Sequence, residues 1–361
     1  MSKLRDLHAE GQSVWFDFIR RALLTSGQLE ALVGDGVRGV TSNPSIFEQA
    51  IARNDDYDDA MAELVARGLD TQAIYETLAI ADIRHACDVL RPVFDGSEAT
   101  DGHVSLEVSP LLAHDTQRTV AEARRLWTTV DRPNLMIKVP VTPAGVPAIE
   151  TLIADGINVN ITLIFSLAHY EASAGAFIRG LERRAEAGQP LGGVASVASF
   201  FVSRLDSAVD KQLAEIGRDD LFGKTAVDNA RIAYARFGEL FAGERWQALA
   251  AKGAQVQRVL WASTGTKNPA YPDTMYVDEL IGPATVNTVP PKTLDAFIDH
   301  GTVARTVDRD LDGARARLKA LAALSIDVGD ITADLQRAGV ASFASAFESL
   351  LASIDAKRAS L

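Results

Sequence analysis

The chain has 361 residues, 47% hydrophobic content and a formal net charge of −12, which suits a large core. The acidic balance argues against a nucleic-acid partner or an anionic membrane, although a local cationic pocket could still bind a phosphorylated substrate. A single cysteine excludes an intrachain disulfide, and no run approaches the roughly 18 apolar residues of a membrane span or resembles a signal segment. We expect a soluble, cytoplasmic protein that is a monomer or a homodimer.

Eight short apolar runs alternate with longer amphipathic segments along the chain. The runs predict strands at residues 13–18, 39–43, 103–109, 135–139, 158–163, 194–200, 258–263 and 284–289. The other segments predict helices at residues 19–33, 57–67, 71–90, 115–129, 143–154, 167–186, 204–216, 228–249, 291–300, 315–324 and 342–357. Strands interleaved with helices predict an α/β protein with a parallel sheet, and eight strands are the number that closes a (β/α)8 TIM barrel.

The spacing of these segments predicts one domain. A single barrel covers residues 1–361, with a helical insertion at about 55–95 and a C-terminal helical tail at about 315–361. The last predicted helix carries one apolar stripe, formed by Phe343, Phe347, Leu350, Leu351 and Ile354. Such a stripe favours a helix docked on the barrel. The helix could also cover the barrel mouth as a lid, which periodicity alone favours less.

Lys138 places a lone amine near the end of the apolar run at residues 134–140. Burial of a lysine is costly because desolvation disfavours the charged form. The neutral amine that burial favours is the form that acts as a Schiff-base nucleophile. The alternative is a strand-end lysine whose head reaches water. Taken alone, Lys138 favours this alternative.

One face of nearly every predicted strand becomes polar toward its C-terminal end. A parallel strand buried on both faces would instead be almost continuously apolar. Barrels bring these strand ends together at one mouth, where barrel active sites lie. The residues predicted to ring this mouth are Asp17, Asn43, Glu107, Lys138, Asn160, Thr162 and Ser199. Thr41 shares a face with Asn43. Each residue could singly cap a helix or belong to a loop, but several aligned strand ends indicate a site.

Five segments together resemble transaldolases, specifically the longer bacterial subfamily within the class I Schiff-base aldolases. They read Val-Thr-Ser-Asn-Pro-Ser-Ile-Phe at 40–47, Leu-Met-Ile-Lys-Val-Pro at 135–140, Gly-Ile-Asn-Val-Asn-Ile-Thr-Leu-Ile-Phe-Ser at 156–166, Val-Ala-Ser-Phe-Phe-Val-Ser-Arg-Leu-Asp at 197–206 and Thr-Val-Asn-Thr-Val-Pro at 285–290. The resemblance implies a barrel that uses neither a metal nor another cofactor. It also implies transfer of a dihydroxyacetone unit in the pentose phosphate pathway. The implied donors are sedoheptulose 7-phosphate and fructose 6-phosphate, and the acceptors are glyceraldehyde 3-phosphate and erythrose 4-phosphate.

The resemblance also implies roles for the ring residues. Lys138 would form the imine that accepts electrons as the carbon–carbon bond breaks. Asp17 would take the proton of the C4 hydroxyl, and Glu107 and Thr162 would position and activate a water. Without the resemblance, Asp17 reads as a structural carboxylate and Glu107 as a charge partner of Lys138. The implied binders of substrate hydroxyls are Thr41, Asn43, Asn160 and Ser199; the alternative for the asparagines and Ser199 is to tie strand ends to loops.

Arg204, Ser263 and Lys267 are the predicted phosphate-binding residues. A guanidinium can bind phosphate oxygens in a bidentate manner, and loops after the late strands of barrels often bind phosphate. The segment at residues 263–268 departs from better-known transaldolases, which have a shorter loop with an arginine. Lys267 is therefore assigned the role of that arginine, as a point charge. Its alternative is a solvated loop lysine.

The six histidines show no metal-ligand spacing, and no glycine-rich nucleotide motif is present. Two further functions stay open beside the transferase. A class I aldolase would use the same imine but release free dihydroxyacetone. A barrel without catalytic activity would serve in binding or assembly, and it would form no borohydride-trapped adduct with fructose 6-phosphate.

Overall fold

Eight parallel strands form a closed barrel in the computed structural model, which describes residues 2–360. Each strand pairs with the next along the chain, and the last pairs with the first. The strands are β1 (Gln12–Phe16), β2 (Val37–Thr41), β3 (His103–Glu107), β4 (Leu135–Pro140), β5 (Val159–Ile164), β6 (Ser196–Phe201), β7 (Arg258–Ala262) and β8 (Thr285–Val289). The predicted (β/α)8 barrel is confirmed, and each predicted strand differs from the observed one by no more than two residues at either end. Met1 and Leu361, the ends of the predicted domain, lie outside the described residues.

Helices surround the barrel. They are α1 (Lys3–Ala9), α2 (Arg21–Thr25), α3 (Gln28–Asp35), α4 (Pro44–Phe47), α5 (Asp58–Ala66), α6 (Thr71–Gly96), α7 (Thr116–Val130), α8 (Gly145–Asp155), α9 (Leu167–Glu186), α10 (Ser203–Glu215), α11 (Thr225–Leu240), α12 (Glu244–Ala250), α13 (Met275–Asp278), α14 (Pro291–His300), α15 (Leu311–Ala323) and α16 (Val328–Ser360). A π-helical turn (Glu48–Ala52) follows α4, and 3-10 turns occupy Pro110–Leu112 and Asp219–Leu221. Among the helices described, none is both long and apolar enough to cross a bilayer.

Three predicted helices differ from the observed ones near glycine or proline. The helix predicted at 19–33 is two helices, α2 and α3, because Gly27 adopts a left-handed backbone (φ 78°) between them. The helix predicted at 228–249 is likewise divided before Gly243 into α11 and α12. Conversely, α6 continues past the predicted end at residue 90 through Pro92 to Gly96. Pro92 is exposed, so water can reach the carbonyl that the missing N–H leaves without a donor.

A buried ion pair lies at the N-terminal end of the barrel. Asp101 lies 2.8 Å from Arg258 and accepts hydrogen bonds from Ser13 Oγ (2.6 Å) and Trp15 Nε1 (3.3 Å). Burial alone would raise the pKa of Asp101, but the Arg258 charge and these hydrogen bonds hold that pKa below its ordinary value. Loss of one partner from such a pair typically costs about 3–5 kcal/mol. This end of the barrel is therefore structural, and the opposite end carries the polar cleft described below.

The tail helix α16 begins 14 residues before the predicted start at residue 342. Asp327 stabilises its first turn, because its carboxylate accepts hydrogen bonds from the backbone N–H groups of Gly329 (2.8 Å) and Asp330 (3.1 Å). Val328, Ile331 and Leu335 give the added segment an apolar stripe of its own, which packs against the core, so the predicted start at residue 342 was wrong.

The same helix crosses the barrel mouth. Gln336 Nε2 donates hydrogen bonds to the carbonyls of Val141 (3.3 Å) and Leu163 (3.2 Å), at the C-terminal ends of β4 and β5. Further along, Phe343 and Phe347 are both buried. The tail is thus docked, as its stripe predicted, and it also covers part of the mouth, which was the less favoured alternative.

Candidate active site

A cleft of about 740 Å³ opens at the C-terminal ends of the strands, and we call it the mouth pocket. Nine predicted site residues line it: Asp17, Thr41, Asn43, Lys138, Thr162, Ser199, Arg204, Ser263 and Lys267. The other two predicted residues, Glu107 and Asn160, are the register neighbours of Lys138 on β3 and β5. The (β/α)8 closure thus brings the whole predicted set to one end of the barrel.

Lys138 is buried, with only 6% of its side chain exposed. Its Nζ lies 3.4 Å from Glu107 Oε2, donates a hydrogen bond to the Ser42 carbonyl (3.2 Å) and lies 5.6 Å from the ring centroid of Phe343. The alternative of a strand-end lysine with its head in bulk water is therefore wrong. The amine instead faces an acidic neighbour at the base of a cleft.

Two buried oxygens beside Lys138 have no hydrogen-bond partner among the described residues. They are Glu107 Oε2, which contacts Lys138 as an ion pair without hydrogen-bond geometry, and Thr162 Oγ1. Burial raises the pKa of Glu107 and outweighs the lowering effect of the Lys138 charge. Buried polar atoms without a protein partner usually form hydrogen bonds with an ordered water or a ligand. Because Glu107 and Thr162 lie on the strands that flank β4, a water between them would be next to the amine.

Asp17 follows β1 and is anchored by its backbone N–H, which donates to the Val289 carbonyl (3.0 Å). Its Oδ1 accepts a hydrogen bond from Thr41 Oγ1 (2.6 Å), and that hydroxyl also contacts Thr288 Oγ1 (2.5 Å). Burial raises the pKa of Asp17, against the opposing effects of the Thr41 hydrogen bond and the Lys138 charge. A carboxylate with a raised pKa is better matched to proton transfer near neutral pH.

Asn160, Ser199 and Asn43 make local ties. Asn160 Nδ2 donates to Ser105 Oγ (2.9 Å), and its Oδ1 accepts from Ser199 Oγ (2.6 Å). Asn43 Oδ1 accepts from Ile46 N (3.0 Å) and caps α4. These bonds agree with the alternative interpretation, in which the three side chains tie strand ends to neighbouring elements. Asn43 and Ser199 nevertheless also line the mouth pocket, whereas Asn160 supports the pocket from behind.

Two cations lie on one rim of the mouth pocket. Neither Arg204, in the first turn of α10, nor Lys267, in the exposed loop after β7, forms an ion pair with any residue in the described part of the chain. The Arg204 guanidinium lies 5.4 Å from the Phe201 ring centroid. Ser263 bridges the two elements, because its hydroxyl contacts Ser203 Oγ (3.0 Å) and its carbonyl accepts from Ser203 N (3.1 Å). The Lys267 charge lowers the pKa of Asp17 from across the pocket, but neither cation is tied up in an ion pair with a described residue, and together they suit an anionic substrate group.

The sequence profile of the family described as Transaldolase/Fructose-6-phosphate aldolase matches residues 14–354. The chain belongs to this family. A protein named Transaldolase from Frankia alni is 52% identical over 356 residues, which cover 97% of this chain and 96% of that protein. One from Thermobifida fusca is 51% identical over 97% of this chain and 96% of its own length. One from Neisseria gonorrhoeae is 50% identical over 98% of this chain and 99% of its own length.

Seven lining residues of this transaldolase-family chain are absent from the predicted set, and three of them contact a predicted residue: Thr288, Phe201 and Phe343. Thr288 was overlooked although it is polar and near the end of a predicted strand, the signal that found the others. Phe201 lies one residue beyond the predicted end of its strand. Phe343 was assigned to helix packing, and only the path of α16 places its ring beside Lys138. No sequence pattern would have indicated that path.

Proposed function

We propose that the protein is a transaldolase that transfers a dihydroxyacetone unit from a ketose phosphate to an aldose phosphate through a Schiff base on Lys138. The observation that carries the proposal is the buried Lys138 amine, 3.4 Å from Glu107, in a cleft that also holds Asp17 and two unpaired cations. The relatives named Transaldolase support it, because they match this chain over nearly its whole length. A cytoplasmic location is part of the proposal, and the buried free thiol of Cys87 fits a reducing compartment.

Imine formation comes first. The Lys138 amine attacks the ketone carbon, and the resulting carbinolamine must lose water. Glu107, whose pKa is raised by burial, can donate the proton that turns the leaving hydroxyl into water. The unpartnered oxygens of Glu107 and Thr162 would hold that water. The same water site serves the reverse step, in which water releases the product from the lysine.

Carbon–carbon cleavage follows on the protonated imine. Asp17 removes the proton from the C4 hydroxyl, the C3–C4 bond breaks, and its electron pair moves through the imine to nitrogen to give an enamine. The first aldose leaves. The enamine then attacks the acceptor aldehyde, and Asp17 returns its proton to the new hydroxyl. Thr41 holds the carboxylate in place for both transfers through its 2.6 Å hydrogen bond.

The substrate phosphate would lie on the cationic rim. Arg204 can bind two phosphate oxygens as a fork, Lys267 adds a point charge, and the Ser263 hydroxyl adds a donor. These groups provide a local positive region on a chain whose net charge is −12. Both the donor ketose phosphate and the acceptor aldose phosphate would use this region.

The competing function is the aldolase reaction, which the family description also contains. The two reactions share every step up to the enamine. In the aldolase reaction the enamine is then protonated, whereas in the transferase reaction it attacks the acceptor aldehyde. Apolar rings at the pocket wall, Phe201 and Phe343, limit the access of water to the lysine and therefore favour transfer.

A product assay distinguishes these functions. With fructose 6-phosphate and erythrose 4-phosphate together, we expect sedoheptulose 7-phosphate and glyceraldehyde 3-phosphate. Without erythrose 4-phosphate, we expect glyceraldehyde 3-phosphate only up to about one equivalent per active site, because the enamine has no acceptor. Steady release of free dihydroxyacetone at an equal rate without the acceptor would instead identify an aldolase. Chromatography of the sugar phosphates reads out both outcomes.

Phe343→Ala should change the balance between these reactions. Removal of the ring admits water beside the Lys138 nitrogen, so the ratio of released dihydroxyacetone to transferred dihydroxyacetone should rise several-fold. Phe177→Ala is the matched control, because Phe177 is fully buried on α9 and packs on Phe241 and Trp246, outside the mouth pocket. Each truncation should destabilise the fold by up to about 3–5 kcal/mol. An equal product ratio in both variants would contradict a water-excluding role for Phe343.

A further inference from the structure

The loop between β7 and α13 carries Lys267 and is fastened at its first residues. Thr264 Oγ1 donates to Asn287 Oδ1 (2.9 Å) on β8, and the Ser263 carbonyl accepts from Ser203 N at the start of α10. Lys267 itself is exposed and forms no ion pair with a described residue. A lysine on a flexible stem binds phosphate only as a point charge. Its position relative to Arg204 therefore depends on how the rest of the loop is held.

Tyr271 provides a second fastening, four residues after Lys267. Its hydroxyl donates a hydrogen bond to Asp210 Oδ2 (2.5 Å), on the same helix that carries Arg204 in its first turn. Asp210 Oδ1 accepts from Gly223 N (3.1 Å), so the carboxylate has a fixed orientation. Gly223 has a left-handed backbone (φ 66°), and a Cβ there would lie 2.9 Å from Tyr271 Cζ. The tyrosine ring is thus held between a glycine without a side chain and an oriented carboxylate.

The position of the contact between Tyr271 and Asp210 indicates a role in phosphate binding as well as in holding the loop. α10 is already joined to α13 by a buried hydrogen bond from the Tyr276 hydroxyl to Asp206 Oδ2 (2.7 Å). The contact of Tyr271 with Asp210 is the more exposed of the two, and Tyr271 is nearer to Lys267 in sequence than Tyr276 is. Tyr271 and Asp210 line a cleft that adjoins the mouth pocket, and Lys267 lines both. This second tie is placed to control the phosphate rim.

We propose that Tyr271 and Asp210 are a positioning pair that holds Lys267 at the distance from Arg204 that a sugar phosphate requires. The pair touches neither the reacting carbons nor the imine, so it acts mainly on binding of the phosphorylated substrate. Its reach into the chemical steps is limited to the Lys267 charge, which is the weakest of the influences on the pKa of Asp17. The inference rests on the proposed function and adds to it the residues that set the preference for a phosphate monoester.

Tyr271→Phe is the test, because it removes only the hydroxyl. We expect the KM for fructose 6-phosphate and the inhibition constant of inorganic phosphate each to rise about fivefold, on the scale of one hydrogen bond, with kcat unchanged. The rate of borohydride trapping by dihydroxyacetone, which carries no phosphate, should also be unchanged. Tyr234→Phe is the matched control: its hydroxyl donates to the Pro283 carbonyl (3.0 Å) far from the rim, and its removal should change none of these constants.

Asp210→Ala removes the acceptor and should reproduce the effect of Tyr271→Phe. The double variant should show no larger rise in KM than the more affected single variant, because both changes break the same contact. Unchanged KM and phosphate inhibition in both single variants would overturn the inference. So would an equal loss of dihydroxyacetone trapping, or failure of both variants to fold, since either result would make the pair structural. An inactive wild-type protein would instead count against the proposed function.

Discussion

We expect borohydride reduction with fructose 6-phosphate to leave one covalent adduct, on the peptide that contains Lys138, and we expect Lys138→Ala to abolish it. The reduction converts the imine to a stable secondary amine, so mass spectrometry of the digested protein locates it. Turnover should fall by about four orders of magnitude or more, as is typical when a covalent nucleophile is removed. The physical reason is that, among the residues the structure describes, the only other lysine lining the pocket is Lys267, which is exposed on the rim.

Lys138→Arg is the control that separates chemistry from folding. The guanidinium keeps a positive charge beside Glu107, so the buried carboxylate is not left unpaired, but it cannot form an imine. We therefore expect a folded protein without an adduct. An adduct that persists in Lys138→Ala would remove Lys138 from its role. A wild-type protein without any adduct would favour the third function considered, a barrel that only binds.

The barrel could be predicted from sequence because two independent patterns agree at nearly every strand. Short apolar runs give the strands, and the polar residues at their C-terminal ends indicate which ends form the mouth. Lys138 and Glu107, for example, are adjacent in the β3–β4 register, as their shared face at the strand ends implied. Closure of a barrel then places such residues together without any information on distances.

The remainder depends on contacts between residues far apart in sequence, which local patterns do not contain. Phe343 belongs to an ordinary apolar stripe, and only the docking of α16 brings its ring to within 5.6 Å of the Lys138 nitrogen. Asn160 satisfied the polar-face pattern but does not line the pocket; its amide instead bonds Ser105 and Ser199, and only Ser199 of these lines it. Tyr271 lies in a loop without periodicity, so its contact with Asp210, 61 residues away, had no sequence signal.

The neighbours of the two acids explain why, in the proposed mechanism, they act at different steps. The pKa of Glu107 and that of Asp17 are both raised by desolvation, yet their neighbours differ. Glu107 lies directly against Lys138, where carbinolamine dehydration needs a proton donor. Asp17 is oriented by Thr41 on the β1–β2 side, where the C4 hydroxyl would be released. Two carboxylates held in separate places can therefore transfer protons at two different positions, beside the Lys138 nitrogen and at the C4 hydroxyl, so that one carboxylate need not serve both.

Asp17→Ala should still form the imine but should turn over poorly. Lys138 and Glu107 are untouched by the change, so the borohydride adduct should persist, whereas loss of a general base costs about 10²–10⁴-fold in rate. The base must be ionised to act, and burial raises the pKa of Asp17, so kcat/KM should fall as the pH drops through that raised value. Normal turnover in Asp17→Ala would remove the residue from this role.

Thr41→Val tests the same assignment through the pH profile. The hydrogen bond from Thr41 stabilises the ionised carboxylate and lowers the pKa of Asp17, so its loss should raise that pKa and move the acidic limb to higher pH. Thr288→Val is the control, because it removes a hydroxyl that contacts Thr41 and leaves the bond to Asp17 in place. If the acidic limb of the pH profile does not move in Thr41→Val, the limb reports the pKa of another buried acid and not that of Asp17. Glu107 is the first candidate, because its pKa is also raised and, among the described residues, the Thr41 hydroxyl bonds Asp17 and Thr288 instead.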